Sequence, residues 1–495
     1  MDPSRNDPWP RRLARAAFAL DVRSLAVYRM ALGAILCVDC LLRLRDFDLM
    51  FAVDGIFPPA ALRRVYADPT LWSLAFLHDA TWWSGAVLAL EGIAGLLLAA
   101  GVATRAATIV AWVALVSVIR RTSPATNAGD TWLGCQLFWS MFVPLGAAWS
   151  WDARRRVAAG CPPVRGTVCS VATTALVLQI VFVYVSAGIA KCNATWTSGA
   201  AVANALSLHD HGTWLGMALA RTGLAGGPLA RAVIVLEVAG PLLAVLVPTA
   251  RVRLAVIATF LVFHVAVWLC MSVGLFVPIS LAAWLPLVPA MAWDRGPPRD
   301  DVAVAVGLPR PAAWACAAAL GLSCVGVLNA RWWNAAVPRP FVALVNLTML
   351  NQDWAMFGRV PPLEQWVTAR ALRADGAVID LFRGGRPCAG ERPAEGFTSL
   401  PHHRWHKLCW VLGTPGVRGI APEVAAGLAR HWNSVHDPAE RVRSVEIRHV
   451  VHGRTDPEDA EYEYVVASWP PRTAAGGGNL DRLLEEAREP DREPR

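Results

Sequence analysis

Of the 46 lysine and arginine residues in this 495-residue chain, only Lys191 and Lys407 are lysine, and Lys191 ends the apolar run Ser186-Ala-Gly-Ile-Ala-Lys191. Arginine stays protonated at any useful pH, whereas a lysine withdrawn from water can lose its proton and act as a base. A lysine at the end of a span also snorkels to mark the membrane surface. Arginine does that equally well, so the scarcity of lysine points to the base. Arg29, Asp39, Glu91, Glu237 and His264 also stand inside apolar stretches. Each is expensive there, and each is either functional or part of a polar pair that locks helices together. His264, in Phe263-His264-Val265, is read as a hydrogen-bonded core residue ahead of a metal ligand. His402, His403 and His406 have no cysteine or carboxylate at metal-ligand spacing, so a polar loop is expected there and no metal. Cys37 and Cys40 share a helix face as packing residues, and Cys388 with Cys409 is the one pair placed for an extracytoplasmic disulfide. No phosphate loop, nucleophile elbow or HExxH stretch occurs.

These residues need a membrane to position them. The chain is 55% hydrophobic and 17% charged, with mean hydropathy +0.39, whereas an average globular domain carries roughly a quarter charged residues. That excludes an ordinary soluble enzyme, a disordered scaffold or a disulfide-stapled secreted domain. The net charge of +8 is spread in small groups between apolar runs and forms no clustered basic face, so nucleic acid is not an expected partner. The expected fold is a polytopic all-α transmembrane bundle of about nine helices, followed by a small extracytoplasmic α+β domain. The expected spans are 24–43, 82–101, 103–119, 131–149, 170–190, 229–248, 252–271, 273–292 and 312–329. Residues 1–20 carry charges and no apolar h-region, so they form a cytoplasmic segment before a retained signal anchor. Arg11, Arg12, Arg15 and Arg23, then Arg154–Arg155–Arg156 with Arg165, then Arg251 and Arg253, fall on one side of the expected spans. By the positive-inside rule the N-terminus is then cytoplasmic and the C-terminal domain extracytoplasmic.

The bundle is expected over 21–349 and the outer domain over 350–470. In the latter, Glu364–Phe382 alternates as a hairpin around Ala374-Asp375-Gly376, Arg441–His452 and Tyr462–Trp469 are strands, and Pro422–Trp432 is a helix. A mobile, Gly-, Pro- and charge-rich tail is expected over 471–495.

A family resemblance follows from motifs spread along the chain. Asp21-Val-Arg-Ser-Leu-Ala-Val-Tyr-Arg29 resembles the opening of the vitamin K-dependent γ-glutamyl carboxylases and of the wider horizontally transferred transmembrane (HTTM) family. Arg121-Thr-Ser123, Trp149-Ser-Trp-Asp152, Gln179 through Lys191 with Trp196 and Gly199, Phe263-His264 ahead of Ser272, Gly274 and Phe276, and Gln352-Asp-Trp-Ala-Met-Phe357 follow in the family's order. The similarity runs from about residue 21 to about residue 470.

The resemblance implies a lyase-type reaction, γ-carboxylation or a related quinone-dependent step, in which Lys191 is the base that deprotonates the reduced quinone. The cofactor implied is reduced vitamin K or menaquinone. The partners implied are the lipid bilayer, the quinone and a glutamate-containing protein or peptide, in a bacterial cell membrane. The carboxylases carry an Asn-Asn-His run where this chain reads Pro124-Ala-Thr-Asn-Ala-Gly-Asp130. No histidine stands there, and Asn127 and Asp130 are left to orient a donor. The expected site residues are Lys191, Asn127 and His264. Two other readings compete: a non-catalytic HTTM bundle that binds a lipid or protein partner, and a transporter with ion sites at Asp39, Glu91 and Glu237, against which the absence of an inverted repeat counts.

Overall fold

The computed structural model describes residues 9–207, 211–294, 308–360, 363–388, 393, 399–414, 419–453 and 461–471. Among them, six helices are long and apolar enough to cross a membrane: Val22–Leu44, Thr81–Ala100, Val171–Ala190, Gly227–Leu246, Ala250–Cys270 and Arg310–Trp333. The other three expected spans fall on different objects. Thr104–Arg121 bears Arg105, Arg120 and Arg121, while Ala128–Ser140 has 13 residues and Phe276–Leu287 is a shorter apolar helix. A bilayer core needs about 20 helical residues, so the last two are too short to span alone. They are instead wrapped by longer helices: Trp132, Cys135, Leu137 and Trp139 are fully buried, as is Trp284.

Helix starts follow local chemistry. Asp21 accepts from the Arg23 amide ahead of Val22–Leu44, and Ser170 with Thr173 forms a capping box ahead of Val171–Ala190, each satisfying amides that the first turn leaves orphaned. Arg29 does the reverse job. Its guanidinium donates to the carbonyls of Leu98 and Ala99 at the end of Thr81–Ala100 and to Trp149. The outward faces stay apolar: Trp82, Val262, Trp268 and Trp314 are all more than 60% exposed, which suits a hydrocarbon solvent. This is a multi-pass membrane protein.

The C-terminal region holds a five-stranded antiparallel sheet in the order Arg386–Pro387, Val378–Asp380, Leu363–Arg373, Val442–Gly453, Glu461–Trp469. The expected hairpin and both later strands are found. Val367, Ala369 and Ala371 alternate inward opposite His449, Ile447 and Val445, the two-residue period of a half-buried sheet. The helix Ala421–Val435 covers the expected 422–432 stretch, and His403–Leu412 supplies a second. The latter corrects the expected polar loop at His402, His403 and His406. His402 is the N-cap, its side chain accepting from the Arg404 amide, and the other two lie inside the helix. Leu408, Val424 and Leu428 share one hydrophobic core with Phe51, Phe57 and Leu62 of the membrane region. Cys388 and Cys409 are both free thiols, so the expected disulfide is not formed. Of the N-terminal segment, Trp9–Phe18 is helical. The tail beyond Pro471 lies outside the described residues.

Candidate active site

Lys191 is the C-cap of Val171–Ala190 and is 3% exposed. Its Nζ donates to Glu237 Oε2 at 2.8 Å, to the Met356 carbonyl at 3.0 Å and to the Ala187 carbonyl at 3.2 Å. An ammonium has three N–H donors, and all three are used. The Trp196 ring lies 5.3 Å from Nζ. Glu237 comes from the middle of Gly227–Leu246, and Gly188 lets it approach. A Cβ at Gly188 would sit 2.6 Å from Val238 Cγ2 and 3.2 Å from Glu237 Cβ. The glycine in the run that ends at Lys191 is thus what seats the lysine's carboxylate partner.

The Met356 carbonyl belongs to the Gln352–Phe357 motif, which folds back along the Lys191 helix. Gln352 and Gln179 exchange amide hydrogen bonds of 3.0 and 3.1 Å. Trp139 Nε1 donates to Gln179 and Trp354 Nε1 to Gln352. Trp196 Nε1 donates to the Phe357 carbonyl, and Asn193 donates to that of Gly358. Two motifs more than 150 residues apart therefore run side by side from Gln179 to Lys191.

Two turns before Lys191, on the same face of that helix, stands Tyr184, about 10 Å away along the axis. Its hydroxyl accepts from Trp284 Nε1 at 3.0 Å and lies 2.6 Å from His264 Nε2. With its own hydrogen directed at Nε2, the imidazole hydrogen sits on Nδ1, which meets no acceptor among the described residues. Trp132, Phe260 and Phe276 complete an aromatic shell around the pair, and Trp132 Nε1 is also buried without an acceptor among the described residues. His264 is 2% exposed.

Asn127 is placed elsewhere. Its Oδ1 accepts from the amides of Gly129 and Asp130, and its own amide donates to Asp130 Oδ2, a capping box that starts Ala128–Ser140. No hydrogen bond among the described residues joins it to Lys191 or His264. Its neighbour Gly129 does abut the Phe276 backbone, where an added Cβ would lie 3.2 Å from Phe276 Cα. The cap therefore stands at the edge of the aromatic shell.

Asp130 belongs to a second buried network. Arg43 donates to Asp39 at 2.8 Å, to Asp130 at 3.2 Å and to Thr122 at 3.0 Å. Arg404, from the C-terminal region, donates to Asp130 at 3.0 and 3.2 Å and also to Asp39. Asp39 thus pairs with an arginine on its own helix and with one 365 residues away. Arg404 carries no apolar signature that sequence reading could have found. Its position in the first turn of an unexpected helix hid it. Glu91 is fully buried and neither of its oxygens has a partner among the described residues.

Two half-buried imidazoles lie under the Met271–Leu275 loop. His211 accepts from the Ser272 amide through its carbonyl and packs edge-on against Phe357. The His403 ring fills the space where a Cβ of Gly274 would be. Burial pushes His211 down to about 4 and His403 down to about 3, so both are neutral at ordinary pH. Burial also lowers Lys407, whose Nζ stacks over Trp410 at 4.1 Å.

A buried lysine–glutamate pair beside an aromatic shell with orphaned donors, all within apolar helices, defines an integral membrane protein with an internal polar site. The HTTM domain model matches residues 19–293, more than half of the chain, and the protein belongs to the HTTM domain family. No curated protein and no solved structure matches the chain.

Proposed function

We propose that this HTTM protein is a quinone-linked membrane enzyme of the carboxylase-like kind, with the Lys191–Glu237 pair as its proton-handling group. The carrying observation is the 2.8 Å contact between Nζ and Oε2 inside the bundle. In a low dielectric an ion pair and its neutral form, amine plus carboxylic acid, lie close in energy. One proton shift along that contact therefore leaves Nζ able to accept a proton from a ring hydroxyl. A reduced vitamin K or menaquinone bound here would supply that hydroxyl and the reducing equivalents.

The residues fit such a ring. The aromatic shell suits its faces, and His264 Nδ1 and Trp132 Nε1 are buried donors lacking an acceptor among the described residues, an arrangement that burial normally penalises by about 1–3 kcal/mol each and that a hydroxyl oxygen of the ring would relieve by accepting. Lys191 must release one bond to act. The Met356 carbonyl, on a connecting segment, is the partner easiest to withdraw. A cavity of about 540 Å³ lined by Cys192, Asn193, Thr197, Arg231, Ile234 and Val235 opens beside the lysine and gives a lateral route from the bilayer. Asn127 holds the helix that carries Trp132.

The orientation rests on charge: Arg23, Arg154, Arg165 and Arg253 lie at one end of the bundle, which we place in the cytoplasm. The C-terminal region packs on residues 47–66, past the far end of Val22–Leu44, and is placed outside.

The test is quinol turnover by the purified protein in nanodiscs. Lys191→Arg keeps a cation for Glu237 but cannot become neutral, so turnover is lost while the fold persists. Turnover retained in that variant overturns the reading. One observation favours a second reading, a non-catalytic bundle that binds a lipid or protein partner: every hydrogen of Nζ is already bonded to protein. It expects Lys191→Leu with Glu237→Leu to retain function, and a glutamate-containing peptide to be neither bound nor modified.

A further inference from the structure

The arginine-rich end of the bundle holds a cavity of about 1140 Å³. Arg23, Arg154, Arg156, Arg165, Trp149 and Asp294 are among its lining residues. Their charges do not cancel. Arg23 is neutralised by Asp21 at 2.8 Å and Asp294 at 2.7 Å, which removes the lining's one carboxylate from the account. Arg156 spends one nitrogen on the Gly146 and Ala147 carbonyls, each at 3.1 Å. Arg154 and Arg165 make no hydrogen bond or ion pair among the described residues, and both are exposed. Arg154 and Arg165 thus line the cavity with no counter-charge among the described residues, and Arg156 is only partly offset, by Asp152 one turn earlier on the same helix.

The surroundings place the cavity at a bilayer surface. Val22 and Arg23, the first residues of a membrane-crossing helix, form part of its wall. Trp149 and Trp151 are 51% and 53% exposed beside it, and Trp149 packs edge-on against Trp293 at 5.4 Å. Half-exposed tryptophans at span ends mark the headgroup level, and arginines bind phosphate oxygens in bidentate fashion. Val22, Ala147 and Val157 give the lining an apolar part.

We propose that this cavity binds the phosphate-bearing headgroup of an anionic lipid, with Arg154, Arg156 and Arg165 on the phosphate and the acyl chains leaving along the Val22–Leu44 helix. The ligand chemistry is a phosphodiester oxyanion. A free phosphate compound shares that chemistry but has no use for the tryptophan rim or the apolar wall, so the lipid is the source assigned.

The test uses the full-length protein extracted from vesicles of phosphatidylcholine with one-fifth phosphatidylglycerol, with retained lipid read by native mass spectrometry. The wild type retains phosphatidylglycerol in preference to phosphatidylcholine, and 10 mM inorganic phosphate does not displace it. Arg154→Gln with Arg165→Gln lowers that retention at least roughly tenfold, each surface arginine being worth about fivefold toward an anionic lipid. Arg105→Gln, an exposed arginine outside the cavity, leaves it unchanged. Both glutamine changes remove side chains without protein partners, and an unaltered melting curve verifies the fold. Equal retention of the two lipids, retention undiminished in the double variant, or displacement by inorganic phosphate would each overturn the assignment.

Discussion

Lys191 Nζ stands 2.8 Å from Glu237 Oε2, with 4% and 8% of the two side chains exposed. The residues lie on separate apolar helices, so the contact ties helix to helix as well as acid to base.

Because each half of a buried pair compensates the other, single and double substitutions should differ sharply. Lys191→Ala leaves a bare carboxylate and costs about 3–5 kcal/mol. Lys191→Leu with Glu237→Leu costs much less. Thermal unfolding of the three proteins in one detergent checks this; equal losses in the single and double variants would contradict a coupled pair.

Gly188 determines how close the two helices come. Gly188→Val forces a side chain against Val238 and Glu237, which overpacking places at about 1–3 kcal/mol. The expected outcome is a lower melting temperature together with loss of quinol turnover, since the carboxylate moves away from Nζ. Thr259→Val, at an exposed position of Ala250–Cys270 outside the neighbouring cavity, is the control and should change neither.

Arg404 bridges the C-terminal region to Asp39 and Asp130. Its removal leaves two buried carboxylates with Arg43 alone, and Arg404→Ala should destabilise by about 3–5 kcal/mol. Limited proteolysis provides the readout. Cleavage between residues 350 and 400 should accelerate, because the sheet region loses its charged anchor, while Arg430→Ala, which among the described residues bonds only to the Asp54 and Gly55 carbonyls, has a smaller effect.

Acid should loosen the junction under the Met271–Leu275 loop. His211 and His403 are held near 4 and 3 in the fold, against 6.5 for a free histidine. Between those values the unfolded chain binds protons that the folded one refuses, so stability is full above about pH 6.5 and falls as pH drops toward 3–4. The slope is at most about 1.4 kcal/mol per pH unit for each group. Melting curves from pH 7.5 to 5 should show it, and His403→Gln should flatten the slope. An unchanged slope in that variant would remove His403 from the account.

Much of this was legible in the chain. Apolar stretches of bilayer length have one use, so the six crossing helices, the hairpin around Asp375, both later strands and the helix after Pro422 were all visible as patterns. Lys191 stood out by scarcity alone. Local pattern does not report how helices sit against one another, because a uniformly apolar helix has no preferred face. Ala128–Ser140 and Phe276–Leu287 therefore looked like spans until longer helices were seen to enclose them. The His402–His406 stretch looked like a loop because the histidine that caps the helix is an uncommon N-cap.

The sequence by itself determined that this is a membrane protein, which residues are charged within it, and the family to which it belongs, since hydrophobic length and residue type are properties of the chain alone. Only the tertiary structure decided which charges meet. Lys191 with Glu237, Arg404 with Asp39 and Asp130, Tyr184 with His264, and the three arginines around one cavity are joined by helix packing and chain return. No periodicity encodes such distances, because they depend on how whole helices close around each other.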